Sequence, residues 1–175
     1  MKKIYFILMV VVITFLFTSC KKDDDASETV RYKKDWVTGK WKQTDLVMSV
    51  DAKLGSTKIP AGTSMIAIAP LLAQALKNPA LIPAITCTKD NQYEFNAQGA
   101  FSISGCTDFI LPKAGNKGTW GLQIYDAVIE LLNDKSEKDP HWINSITPTK
   151  MELALTVIIP GVGAVPLGLQ LEKLP

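Results

Sequence analysis

QYEFNAQGAFSI, residues Gln92 to Ile103, decides the class of fold. Gln92-Tyr93-Glu94-Phe95 and Ala100-Phe101-Ser102-Ile103 each alternate with period two, which lines Tyr93, Phe95, Phe101 and Ile103 along one side of an extended chain. Asn96-Ala97-Gln98-Gly99 between them has turn chemistry, and Gly99 is free to take a positive φ. The stretch predicts an antiparallel hairpin with Phe95 opposite Ala100.

The same period recurs on either side. Leu46, Met48 and Val50 share a face, as do Trp120, Leu122 and Ile124, and again Met151, Leu153, Leu155 and Val157. Between Trp41 and Leu46 the alternation is ambiguous. Ala127 to Leu132 is an apolar run broken only by Glu130, which suits a strand covered on both sides or a short helical turn. Val157 to Leu169 reads as the last strands, joined by an apolar turn with Pro160-Gly161 and Val165-Pro166. Many short strands with glycine-bearing turns predict an all-β antiparallel barrel or sandwich.

The segment Lys53 to Ala84 departs from this pattern. Pro70 at a first helical position and Asn78-Pro79 as a stop predict a two-turn helix over residues 70–77, with Leu72, Ala75 and Leu76 on one side. Two turns do not hold alone, so this helix must lie against something apolar.

The chain opens with Lys2-Lys3, an apolar run from Ile4 to Phe17, and Thr18-Ser19-Cys20. As a helix the run covers about 21 Å against the roughly 30 Å of a bilayer core, so a secretory signal peptide fits better than a membrane anchor. Phe17-Thr18-Ser19-Cys20 resembles the lipobox of bacterial lipoproteins, with Phe17 where leucine is commonest. The resemblance implies loss of residues 1–19 and attachment of palmitate-type acyl chains at Cys20. Two or three such chains hold a protein on a membrane where one binds only marginally. The alternative is an ordinary signal peptide that ends near a cysteine. Residues 20–34, with the charge run Lys21-Lys22-Asp23-Asp24-Asp25, read as a flexible, solvated tether. Lys22-Asp23-Asp24 is also similar to the lysine-acid-acid signals that send some Gram-negative lipoproteins to the exterior face of the outer membrane. The expected location is the outer membrane, held by lipid, with its periplasmic and exterior faces both open.

The chain carries 19 Lys and Arg against 17 Asp and Glu, and loss of Lys2 and Lys3 leaves 17 against 17. No basic patch with interleaved aromatics remains, so nucleic acid is not an expected partner. The remaining residues, 35–175, suffice for one domain.

With Cys20 lipidated, Cys87 and Cys106 are left. Export takes them to an oxidising compartment, where pairing is the ordinary outcome. The hairpin register carries Cys87 opposite Asp108 and Cys106 opposite Lys89, a miss of two residues that a bulge or frayed strand end would close. A disulfide is the expectation, and two buried free thiols are the alternative.

Gly39-Lys40-Trp41 resembles the Gly-x-Trp signature of lipocalins, in which the tryptophan packs across the closed end of an eight-stranded barrel. Cys87, Tyr93-Glu94-Phe95-Asn96, Gly99, Cys106, Gly118-Thr119-Trp120 and the strand from Ile146 to Leu153 are similar, in order and approximate spacing, to the lipocalin-like domains of Gram-negative outer-membrane lipoproteins. The resemblance covers Trp36 to Leu174. It implies an antiparallel up-and-down barrel of about eight strands with a short helical insertion.

A barrel of that size is either filled by side chains or holds one small ligand. The inward candidates are Trp41, Tyr93, Phe95, Phe101, Ile103, Trp120 and Leu122, and they suit either outcome. Met65, Ile68, Leu72 and Leu76 of the insertion form a lid if they lie over an open mouth, and a partner-seeking patch if they lie outside.

Catalysis has little to stand on. His141 is the only histidine, no serine has a nucleophile-elbow context, and Asp139-Pro140-His141 reads as a loop. Glu94 and Glu152 fall at outward strand positions, and Gly161-x-Gly163 reads as a turn rather than a phosphate cradle. No metal site and no cofactor is implied. The expected function is binding of a small apolar or amphipathic ligand by a membrane-anchored barrel. The alternative is a non-catalytic accessory or adhesion protein, its barrel filled, whose loops contact a membrane-protein neighbour or a host surface.

Overall fold

The computed structural model describes residues 33–106, 109–110, 112–159 and 162–175. The signal peptide, Cys20 and nearly all of the tether lie outside the described residues. In chain order the elements are β1 (Gly39–Met48), β2 (Ala52–Leu54), β3 (Thr57–Ile59), α1 (Met65–Ala75), α2 (Leu81–Thr86) and a 3-10 turn (Cys87–Asp90). They continue as β4 (Gln92–Phe95), β5 (Ala100–Ser104), β6 (Lys117–Gln123), β7 (Val128–Leu132), β8 (Lys138–Ile146), β9 (Lys150–Ile159) and β10 (Gly163–Lys173). β4 to β10 follow one another as antiparallel neighbours, and β1 closes the barrel between β10 and β4. This is the all-β, eight-stranded up-and-down barrel expected. β2 and β3 pair only with each other, so the barrel is interrupted once, between β1 and β4.

The 92–103 hairpin forms in a register one residue from the expected one. Phe95 faces Phe101 and Tyr93 faces Ile103. The loop holds three residues rather than four. The Gly99 amide donates to the Asn96 carbonyl at 3.1 Å, Gly99 takes φ 88°, and the Asn96 side chain accepts from the Ala100 amide at 2.7 Å. That is a type I turn closed by a left-handed glycine, a geometry that fits the twist of the flanking strands. A slip of one residue flips the face of one strand against the other, so it is the observed pairing that puts Phe101 and Ile103 on the side of Tyr93 and Phe95, all four buried.

β1 explains its own ambiguous alternation. Trp41 and Gln43 point inward, the register shifts between Gln43 and Asp45, and Leu46 and Met48 then point inward. Thr44 is the extra residue of a bulge, which switches the parity of the strand midway. Val50, expected on the same face, lies beyond the strand end and is exposed. Ile124 is likewise exposed, in the β6–β7 turn rather than on the inner face of β6. The 127–132 run resolves as a strand, with Ile129 and Leu131 inward and Val128 also buried.

One end of the barrel is closed by aromatic packing. Trp41 is fully buried and its indole N–H donates to the Val37 carbonyl at 2.7 Å. Phe95 and Trp120 meet edge to face with centroids 5.5 Å apart. Lys173 lies across this end, its ammonium 5.2 Å from the Trp41 ring and 2.9 Å from the Trp36 carbonyl. A Cβ on Gly39 would come within 2.7 Å of the Lys173 Cε, so the glycine of Gly39-Lys40-Trp41 leaves room for the lysine that covers the tryptophan.

The insertion covers the other end. α1 starts five residues before the expected Pro70. Ser64 caps it, accepting from the Ala67 amide at 3.2 Å and donating to Asp45 at 2.8 Å. Met65, Ala69, Leu72 and Ala73 form its buried stripe, while Pro70 sits inside the helix on the exposed side and Ala75 is exposed rather than packed. Gln43, Thr88 and Asn91 form a buried polar link between β1 and the 3-10 turn, with the Gln43 side chain donating to Thr88 at 2.9 Å.

Cys87 and Cys106 are disulfide-bonded, with Cα atoms 5.7 Å apart and a sequence separation of 19. Neither lies on the β4–β5 ladder. The 3-10 turn before β4 and the bend after β5 bring them together, which a strict strand register could not. Reduction or Cys87→Ser should cost about 3 kcal/mol in the loop-entropy picture, measurable as a lower melting temperature with reductant present. Identical melts with and without reductant would contradict the bridge.

Candidate functional site

β8 and β9 do not stay together. They pair from Ile143↔Leu153 to Ile146↔Met151, with a register shift between Ile143 and Ser145. Among the described residues, β8 from Lys138 to Trp142 pairs only with β7, and β9 beyond Leu153 pairs only with β10. Two features of the sequence produce the parting. The extra residue Asn144 bends the strand, and Pro140 has no N–H with which to feed a ladder. Asp139-Pro140-His141 is therefore a strand with one unpaired side, not the loop expected.

A cavity of about 680 Å³ lies behind this seam, within the range of roughly 300–1,000 Å³ typical of small-molecule sites. Its wall is made chiefly by inward residues of β7, β9 and β10, among them Ile129, Leu131, Leu153, Leu155, Leu167 and Leu169, with Tyr93 and Phe95 from β4. Phe109, Ile110 and Pro112 of the β5–β6 loop complete it. Trp142 and Ile158 belong to the cavity lining and to the outer surface at once, being 53% and 78% exposed. The cavity thus reaches solvent through the side of the barrel.

The polar groups gather on β8 and the loop beside it. Register sets Asp139 opposite Leu131 and His141 opposite Ile129, so both side chains share the inner face with those leucine and isoleucine residues. Each is only 14% exposed. The Asp139 Oδ2 accepts the Lys113 amide at 2.6 Å and lies 3.4 Å from the His141 Nε2. That separation is an ion-pair distance without hydrogen-bond alignment, and the Nε2 atom is buried with no hydrogen bond. Burial pushes the Asp139 carboxyl up, but His141 and Lys113 together outweigh it and hold the group below its ordinary value. Tyr93 turns its hydroxyl away, toward Gln43 at 3.4 Å, and burial pushes that phenol well above its ordinary pKa. No serine, threonine or cysteine is hydrogen-bonded to His141 among the described residues, and the pair can hold a polar group. Nor do three or more His, Cys, Asp or Glu side chains cluster as metal ligands there.

Of the seven inward candidates, Tyr93 and Phe95 border the cavity. Trp41, Phe101, Ile103, Trp120 and Leu122 belong to the packed interior and are not part of its wall. The four residues expected as a lid lie elsewhere too. Met65, Ile68 and Leu72 border a second hollow of about 30 Å³, shared with Met48, Ile59 and Val165, and Leu76 borders neither. Sequence reasoning missed Asp139, His141 and the β7–β10 wall. The period-two face of Met151, Leu153, Leu155 and Val157 was the available signal for the wall.

No protein-family model matches the chain, and no curated protein matches it. Among solved structures it is similar to a lipocalin-like protein from Bacteroides uniformis, at 13% identity and a TM-score of 0.35, over 79% of this chain and 99% of that one.

Proposed function

We propose that this chain is an exported, lipid-anchored protein whose barrel holds a small apolar or amphipathic molecule. The observation that carries the reading is the 680 Å³ hollow, walled by leucine, isoleucine and phenylalanine in a barrel that could instead have been filled. Polar groups at one edge and apolar residues elsewhere suit a molecule with one polar end. Native mass spectrometry of the gently purified full chain should show an added small mass, lost on unfolding. A bare polypeptide mass, unchanged on incubation with lipid extract, would count against cargo.

Support for anchoring, and for the outer membrane as its site, comes from Phe17-Thr18-Ser19-Cys20 and the charged tether. Cys20→Ala should move the protein from the membrane fraction to the soluble one. Retention in the membrane would argue against lipid at that thiol. A second reading, an accessory protein that contacts a membrane-protein neighbour, draws on the β6–β7 turn, where Ile124 and Tyr125 are 58% and 94% exposed.

A further inference from the structure

The structure assigns a polarity to the occupant of the cavity: we propose that it presents a neutral hydrogen-bond donor, a hydroxyl or an amide N–H, to Asp139 and His141, and not a carboxylate. The proposal rests on the cavity being a ligand site. Among the described residues, every hydrogen bond and ion pair of Asp139 falls on its Oδ2, which leaves Oδ1 without a protein donor. His141 makes no hydrogen bond through either ring nitrogen, and its Nε2 is buried. Asp139 Oδ1 is thus an acceptor at the edge of the cavity with no protein partner among the described residues. Of the other polar groups in the lining, Ser49, Asn144 and Thr156 are exposed residues, and the Tyr93 hydroxyl is engaged with Gln43.

Charge points the same way. The charged or titratable residues that line the cavity are Asp139, His141, Lys113 and Tyr93. Lys113 is an exposed residue, and its backbone amide is already given to Asp139. Its solvated ammonium therefore screens the carboxylate only weakly. An acid entering the seam meets a like charge where water is scarce, and an ammonium meets Lys113. A neutral donor meets neither obstacle and gives the Asp139 carboxylate a hydrogen bond.

The test uses the full chain and displacement of the fluorescent reporter N-phenyl-1-naphthylamine by three twelve-carbon probes, 1-dodecanol, dodecanoate and methyl dodecanoate, at neutral pH. An apolar hole alone favours the alcohol over the acid, so the deciding quantities are two others. First, dodecanol should displace the reporter about tenfold better than the methyl ester, which is neutral but has no donor, as a hydrogen bond to a charged acceptor predicts. Secondly, Asp139→Asn should improve dodecanoate relative to dodecanol by about tenfold, by removing the like charge. Equal displacement by alcohol and ester overturns the donor assignment in the unaltered protein, whatever the variant does. An acid-to-alcohol ratio unchanged in a folded Asp139→Asn protein overturns the charge argument. A reporter that never binds removes the cavity reading itself, and this proposal with it.

Discussion

Trp41→Ala should lower the free energy of unfolding by about 3–5 kcal/mol, the ordinary cost of emptying a large buried aromatic site. The indole is fully buried, anchors the 33–37 helical turn through the Val37 carbonyl and supports the Lys173 ammonium. Its removal strips three roles at once: core volume, a hydrogen bond and the platform for a cation. Burial already pulls the Lys173 pKa down, with Asp35 acting against it. Trp41→Phe should recover most of the packing but not the hydrogen bond. Denaturant melts of both variants check this. A loss below about 1 kcal/mol for the alanine would mean that this end is not a closed, well-packed plug.

Leu155→Trp should abolish retention of small molecules while leaving the melting temperature level or higher. Leu155 is half-buried on the parted stretch of β9, borders the large cavity and faces Leu167 across the β9–β10 ladder. An indole there has empty space ahead of it, unlike an indole forced into a close-packed core, which would cost about 1–3 kcal/mol. The same native-mass and displacement measurements read the result. Undiminished binding in a folded variant would place the occupied site somewhere other than this hollow.

The fold was more legible than the site. Alternation in Gln92–Ile103 and Met151–Val157 reports directly on which side of a strand meets apolar neighbours, and burial agrees with it residue by residue in β4 and β5. Where alternation failed, between Trp41 and Leu46, the cause was a bulge, which no period-two template can contain. The insertion was harder. β2 and β3 are three residues each and α2 only six, too short to show a period, and in α1 the sequence signal of Pro70 as a helix start competes with Ser64, which supplies the cap. The site depends on something sequence patterns do not express. Seven inward aromatic and aliphatic residues were foreseen, yet whether they fill the interior depends on how far β8 and β9 stand apart. Asp139-Pro140-His141 carried that information, but proline in a charged tripeptide reads first as a loop. The ladder with β7 makes it a strand, and that pairing is not written in the tripeptide.

The parted seam has a kinetic consequence. A strand held along one margin can lift away for far less free energy than it takes to melt a whole domain. The stretch 138–142 is such a strand, laddered to β7 alone and held on its other side by the contact between Asp139 and the Lys113 amide until Asn144 rejoins it to β9. Its backbone amides should therefore exchange hydrogen with water sooner than those of residues 167–172 of β10, which are held between β1 and β9.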